Sequence, residues 1–202
     1  MALRTLFVTR LYEDQLGDEA LLDELLDAAA LLAAEDTAGQ AWCKANRYPG
    51  YTSYASLDDL PARMTAFGRL KKKLDRHAAA FAEALHLDLK GRRLVMDSLW
   101  VNVLKPGGFH SGHIHPHSVL SGTLYLEVPP KASALKLEDP RLPLMMAAPN
   151  RKAEAPEEVQ TFVYVAPEAG TILMWESWLR HEVVANGARS ERVSVSFNYA
   201  WR

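Results

Sequence analysis

Leu21, Leu22, Leu25, Leu26 and Ala29 recur at helical spacing with Asp and Glu between them. This pattern predicts a helix over about Asp18–Ala34, with Asp18 as its N-cap. Ahead of it, residues 5–12 alternate loosely and are rich in β-formers, which predicts a short strand. The polar, Gly-bearing stretch 35–54 reads as loop. Ser56-Leu57-Asp58-Asp59 has the form of a capping box, with Asp in place of the usual Glu or Gln. A second helical pattern follows through Leu60, Met64, Phe67, Leu70 and Leu74, and a third, Ala-rich run covers 77–87. Gly68 is the expected point of bending or division. Residues 1–90 thus predict a strand and a helical layer.

From residue 94 the period changes. Short alternating segments at 94–104, 121–128, 134–137, 161–165, 171–175, 179–185 and 191–201 are separated by Gly, Pro and Asn. Several short strands with turns between them predict a sandwich or barrel. The fold class expected is therefore α+β, mainly β: a sandwich or barrel core over 94–202 with an N-terminal helical layer, in one domain of 202 residues. Residues 142–159 form the longest irregular piece, and loops of that length are functional or mobile.

The last segment carries more than a strand assignment. Arg192, Ser194, Ser196 and Asn198 share one face, and Val193, Val195, Phe197 and Tyr199 share the other. Simple solvent-facing alternation would put the polar side in water. The other reading packs the apolar side under the helices, so that the polar side lines a cavity. Ser121, Thr123 and Tyr125 make a second such polar face, and Asn102, between Val101 and Val103, adds a third inward polar residue.

Composition narrows the function classes. The chain is 49% hydrophobic and 24% charged, with a formal net charge of −2. No long basic run exists, so the electrostatic footprint of a nucleic-acid binder is missing. Lys71-Lys72-Lys73 reads as a solvated helix face. No apolar run reaches the ~20 residues of a membrane helix, and the start lacks the apolar core of a signal peptide. The single cysteine, Cys43, excludes an internal disulfide and reads as a packing residue in a cytoplasmic protein. A homodimer is the default assembly.

The densest chemistry lies in Phe109-His110-Ser111-Gly112-His113-Ile114-His115-Pro116-His117, which holds four of the seven histidines. Neutral imidazole is the commonest protein ligand for first-row metals. On an extended segment an H-x-H pair turns both rings to one face, so His113 and His115 could grip one ion. A bare H-x-H is also what a surface loop with clustered histidines looks like. Its weight rises because His181, and then Arg192 and Ser194, form a second, distant constellation. His77 and His86 have no partner at metal spacing and read as structural or surface residues.

Several blocks together resemble a bacterial and phage family of 2-oxoglutarate/Fe(II) oxygenases. These are Ser98-Leu99-Trp100-Val101-Asn102, His113-Ile114-His115-Pro116, Leu120-Ser121-Gly122-Thr123-Leu124-Tyr125, Asp139-Pro140-Arg141 and residues 191–198. The stretch from Trp175 through His181 to Arg192 is similar to prolyl-hydroxylase-type members of the wider superfamily. The resemblance implies a double-stranded β-helix that binds Fe(II), 2-oxoglutarate and O2. By position it implies metal ligation by His113, His115 and His181, and pairing of Arg192 with the far carboxylate of 2-oxoglutarate. Ser194 and Tyr125 are expected beside that carboxylate, with Asn102, Ser121 and Thr123 lining the same cofactor cavity.

One departure stands out. The superfamily pattern is H-x-D/E, and His115 occupies the carboxylate position. Three histidines can offer the same facial geometry with one less negative charge. His110, His117 and Asp139 are the alternative third ligands. The departure keeps open a cupin-type three-histidine dioxygenase without 2-oxoglutarate, and a non-catalytic jelly-roll binding protein. The primary substrate is not legible in the chain.

Overall fold

The alternating segments form two antiparallel sheets in the computed structural model, which describes residues 1–202. The chain runs β1 (Tyr12–Gln15), α1 (Glu19–Glu35), α2 (Thr37–Ala45), β2 (Gly50–Thr52), α3 (Leu60–Arg63) and α4 (Thr65–Ala84). It continues through β3 (Leu94–Leu104), β4 (His110–His113), β5 (Leu120–Glu127), β6 (Leu135–Glu138) and β7 (Phe162–Val165). It ends with β8 (Thr171–Glu176), β9 (His181–Val183) and β10 (Arg192–Trp201). The larger sheet has the order β1-β8-β5-β10-β3-β2, and the smaller has β4-β9-β6-β7. Tyr125, Leu173 and Trp175 from the first sheet pack with Leu135 and Leu137 from the second, so the sheets face each other as in a jelly roll.

Strand parity decides what lies between the sheets. In β10 the residues Val193, Val195, Phe197 and Tyr199 turn outward onto the helices. There they join Leu21, Leu25, Phe67, Leu70, Leu74 and Phe81 in the main core, with Leu99, Val101, Ile172 and Met174 from neighbouring strands. The polar face of β10 is left pointing inward, as the cavity reading of the sequence requires. Gly122 belongs to this arrangement. It pairs with Phe197, and a Cβ there would sit 2.5 Å from that ring. The Phe197 ring occupies the space that any side chain at Gly122 would need.

The helical layer departs from the sequence expectation in four places. Residues 1–11 do not form a strand; pairing starts at Tyr12, which faces Met174 of β8. A β-prone stretch without a partner strand leaves its backbone to water. The expected loop 35–54 contains α2 and β2. Asp36 caps α2 through Gly39 N at 2.9 Å and also accepts from Tyr51 Oη at 2.9 Å. The capping box at Ser56 is not used; the helix begins after Asp59, and Ser56 Oγ donates to Asp36 instead. Gly68 does not divide the helix. The break falls at Met64, whose φ of −133° and ψ of 130° are extended. The third helical run simply continues α4 to Ala84.

Other expectations hold at the level of packing. Cys43 is buried, and its Sγ accepts from Thr52 N at 3.3 Å. His77 Nδ1 lies 2.9 Å from Tyr12 Oη, a structural contact. Lys71 and Lys73 are half-buried and pair with Asp75 and Asp18 at 2.6 and 3.2 Å, while Lys72 between them is exposed. No helix is long and apolar enough to cross a membrane.

Candidate active site

Three imidazoles from separate segments meet at one end of the space between the sheets. His113 closes β4, His181 opens β9 directly opposite it, and His115 lies in the irregular segment after β4. The ligand-capable atoms of the three lie within 4.8 Å of one another. Both rings of the H-x-H pair turn to one point, as expected, although sheet pairing ends at His113 and does not hold His115. Instead His115 N donates to Ser177 O at 3.0 Å, which tethers the turn to the segment leading into β9. No carboxylate joins the cluster.

The backbone fixes which ring nitrogen is available. His113 Nδ1 lies 2.7 Å from Ser111 O, and His181 Nδ1 lies 2.8 Å from Leu179 O. A carbonyl can only accept, so each Nδ1 carries the proton and each neutral ring keeps its lone pair on Nε2. Such outer contacts are what orient imidazoles toward a metal. Across the cluster, His115 Nε2 and His181 Nε2 stand 3.3 Å apart. Two nitrogens held about 2.0–2.1 Å from one ion come to a similar separation. Burial also keeps two of the rings neutral: it lowers the His115 pKa to about 4 and the His181 pKa to about 3, with the neighbouring imidazoles adding to the effect. The donor set thus fits a divalent first-row metal.

The alternative ligands point elsewhere. His110 Nε2 is 2.7 Å from Tyr48 Oη, and burial lowers its pKa to about 4. His117 is exposed, with φ of 75°. The Asp139 carboxylate is taken by Arg141, whose Nε and Nη2 donate at 2.9 and 2.8 Å.

Arg192 sits at the start of β10 and is only 2% exposed. Its Nη1 donates to Ser133 O at 3.0 Å, its guanidinium lies 5.4 Å from the Tyr125 ring centroid, and its Nε has no partner. Burial lowers its pKa from the ordinary value, with Tyr125 and Tyr48 opposing; an arginine nevertheless stays charged. No carboxylate neutralises it within the chain. A buried cation with free donors is costly unless an anion meets it. The protein has three buried polar side-chain atoms without a partner: Arg192 Nε, Ser133 Oγ and Trp175 Nε1. Arg192 and Trp175 line one cavity with the three histidines, and Ser133 holds Arg192.

Asn102, Thr123, Tyr125, Ser194 and Ser196 line the same cavity. Asn102 is held there from both sides, by Thr52 Oγ1 at 2.9 Å and through its Nδ2 to Ser196 Oγ at 3.0 Å. Ser121 is placed differently: it is buried beyond the cavity, and its hydroxyl serves Asn198 Oδ1 and Ser177 Oγ, both at 2.8 Å. Trp100 and Trp175 flank the imidazoles, with ring centroids 6.2 Å from His115 and 4.7 Å from His181. Trp178, three residues past Trp175, is 47% exposed. Tyr48 and Ser133 escape sequence reasoning as site residues. Tyr48 lies in the misread segment before β2, and Ser133 has only Ala neighbours to mark it.

Comparison with known proteins agrees with this architecture. A search of curated proteins finds no match. Among solved structures, a Pseudomonas putida prolyl-4-hydroxylase superposes with a TM-score of 0.65 at 18% identity, covering 96% of this chain and 94% of that one. HygX from Streptomyces hygroscopicus, solved with nickel and 2-oxoglutarate bound, gives 0.62 at 13% identity over 96% and 82%. The viral collagen prolyl hydroxylase of Paramecium Bursaria Chlorella virus-1 gives 0.60 at 11% identity over 100% and 97%. These likenesses establish the double-stranded β-helix fold. Residues 98–198 match the family described as "Putative 2OG-Fe(II) oxygenase". With its imidazole cluster and its buried arginine inside that matched region, the chain belongs to the 2OG-Fe(II) oxygenase family, whose members work with Fe(II) and 2-oxoglutarate.

Proposed function

We propose that His113, His115 and His181 hold Fe(II) through Nε2, and that Arg192 receives the far carboxylate of 2-oxoglutarate. The observation that carries this reading is the buried, uncompensated guanidinium of Arg192 in the same cavity as three inward-facing imidazoles. A planar guanidinium suits bidentate pairing with a carboxylate. Tyr125 supports its face, Ser133 O fixes its direction, and Ser194 lies beside it on the same face of β10. Thr123 and Asn102 add polar lining. Ser121 acts one step away, by holding Asn198 and Ser177.

When bound, the iron and the 2-oxo acid supply oxidative decarboxylation to succinate and CO2, coupled to oxidation of a substrate C–H bond. The chain's part is to bind, orient and exclude water. Burial keeps His115 and His181 unprotonated and free to ligate. Trp100 and Trp175 form an apolar wall beside them.

The all-imidazole set is the one observation that favours a second reading, a cupin-type oxygenase without 2-oxoglutarate. Calorimetry with 2-oxoglutarate and a succinate assay on the anaerobically Fe(II)-loaded protein separate the two. Metal-dependent 2-oxoglutarate binding and succinate release are expected, with both lost in Arg192→Ala. Oxygen consumption without succinate would overturn the assignment. We further read residues 1–202 as one domain, because helices and large sheet share a core, in a cytoplasmic homodimer.

A further inference from the structure

Trp175 holds the one unpartnered buried donor whose ring packs on the imidazole cluster. It is 3% exposed, lines the cavity, and meets His181 edge-on at 4.7 Å between ring centroids and 63° between planes. Its Nε1–H has no acceptor in the protein. A buried indole normally finds a partner for its N–H, and leaving one unmet is destabilising. Trp201, by contrast, donates to Leu89 O at 3.2 Å, and Trp178 is 47% exposed to water.

We infer that the Trp175 indole N–H donates to the 2-oxo-acid head of the bound diacid, beside the metal. This rests on the proposed binding of 2-oxoglutarate to the same cavity. Arg192 packs on Tyr125 and answers one carboxylate, whereas Trp175 packs on a metal-facing histidine and answers the other, anionic end. A single uncharged donor suits that end, because the metal already neutralises it. A packing tryptophan could be replaced by phenylalanine; a donor could not.

The test uses the full chain loaded with Zn(II), a diamagnetic probe, and labelled with 15N in its indole rings. The five resonances are assigned by Trp→Phe changes at Trp42, Trp100, Trp178 and Trp201. Saturating 2-oxoglutarate is expected to move the Trp175 N–H resonance downfield by more than the other four. By calorimetry, Trp175→Phe should bind the diacid roughly ten- to hundredfold more weakly with Zn(II) affinity unchanged. An unmoved Trp175 resonance in the diacid complex overturns the inference, as does wild-type affinity in Trp175→Phe. A shift already complete with Zn(II) alone also overturns it, by assigning the donor to metal-bound water. If Trp175→Phe fails to fold, the resonance in the wild-type chain decides. Failure of the wild-type chain to bind the diacid would instead remove the reading on which the inference rests.

Discussion

Replacing Arg192 by methionine should separate binding from folding. The guanidinium makes one side-chain hydrogen bond, to Ser133 O, and has an orphaned Nε. Methionine loses that bond and the contact with Tyr125, but it also removes an uncompensated buried charge. These effects oppose one another, so the metal-loaded variant without diacid should stay within about 2 kcal/mol of wild type. Diacid binding has no such offset. Truncating one member of a buried charge pair costs about 2–5 kcal/mol, equivalent to roughly thirtyfold to several thousandfold in Kd. Thermal unfolding reads both quantities. At a hundred times the wild-type Kd, 2-oxoglutarate should stabilise the metal-loaded wild type by about 2.7 kcal/mol, raising Tm by roughly 5–11 °C for a chain of this size. Arg192→Met should show little or no shift at the same concentration. A wild-type shift in the variant would refute the carboxylate role of Arg192.

Three further outcomes follow from the geometry. His181→Ala and His115→Ala should each weaken metal binding by more than the 10–100-fold typical of losing an outer-sphere partner; full metal retention on elemental analysis would exclude that histidine as a ligand. Gly122→Ala should destabilise the protein by about 1–3 kcal/mol through overpacking, since the added methyl meets the Phe197 ring, and denaturant titration measures this directly. The metal-free protein should lose stability as pH falls below about 6.5. His110, His115 and His181 have folded-state pKa values of about 4, 4 and 3, chiefly because they are buried. The unfolded chain therefore takes up protons first, so the stabilisation present above 6.5 drains away toward pH 3. Urea titrations between pH 7.5 and 5 that show no such slope would contradict burial of these rings in the neutral form.

The β core was legible because strand alternation is a local property. Every expected segment from 94 onward contains or overlaps a strand, although β9 shrinks to three residues. The helical region was harder. α2, with sequence TAGQAWCKA, has no long apolar stripe and carries a glycine, so its stability comes from the Asp36 cap and from packing against β2. Residues 5–8 have strand-like composition but no partner, and composition cannot supply one. Gly68 looked like a hinge, yet the chain turns at Met64, where α3 and α4 pack against each other.

By itself, the sequence determined the strand faces, the absence of a carboxylate beside His113, and the family blocks that carry His181 and Arg192. Each depends only on residue type and spacing. Tertiary structure decided which groups the cavity contains. It excluded Ser121 from the lining, tied His110 to Tyr48 rather than to the cluster, and left Arg192 and Trp175 with unmet donors. Those outcomes depend on through-space distances among segments far apart in the chain, and on which buried polar atoms find partners once the two sheets close.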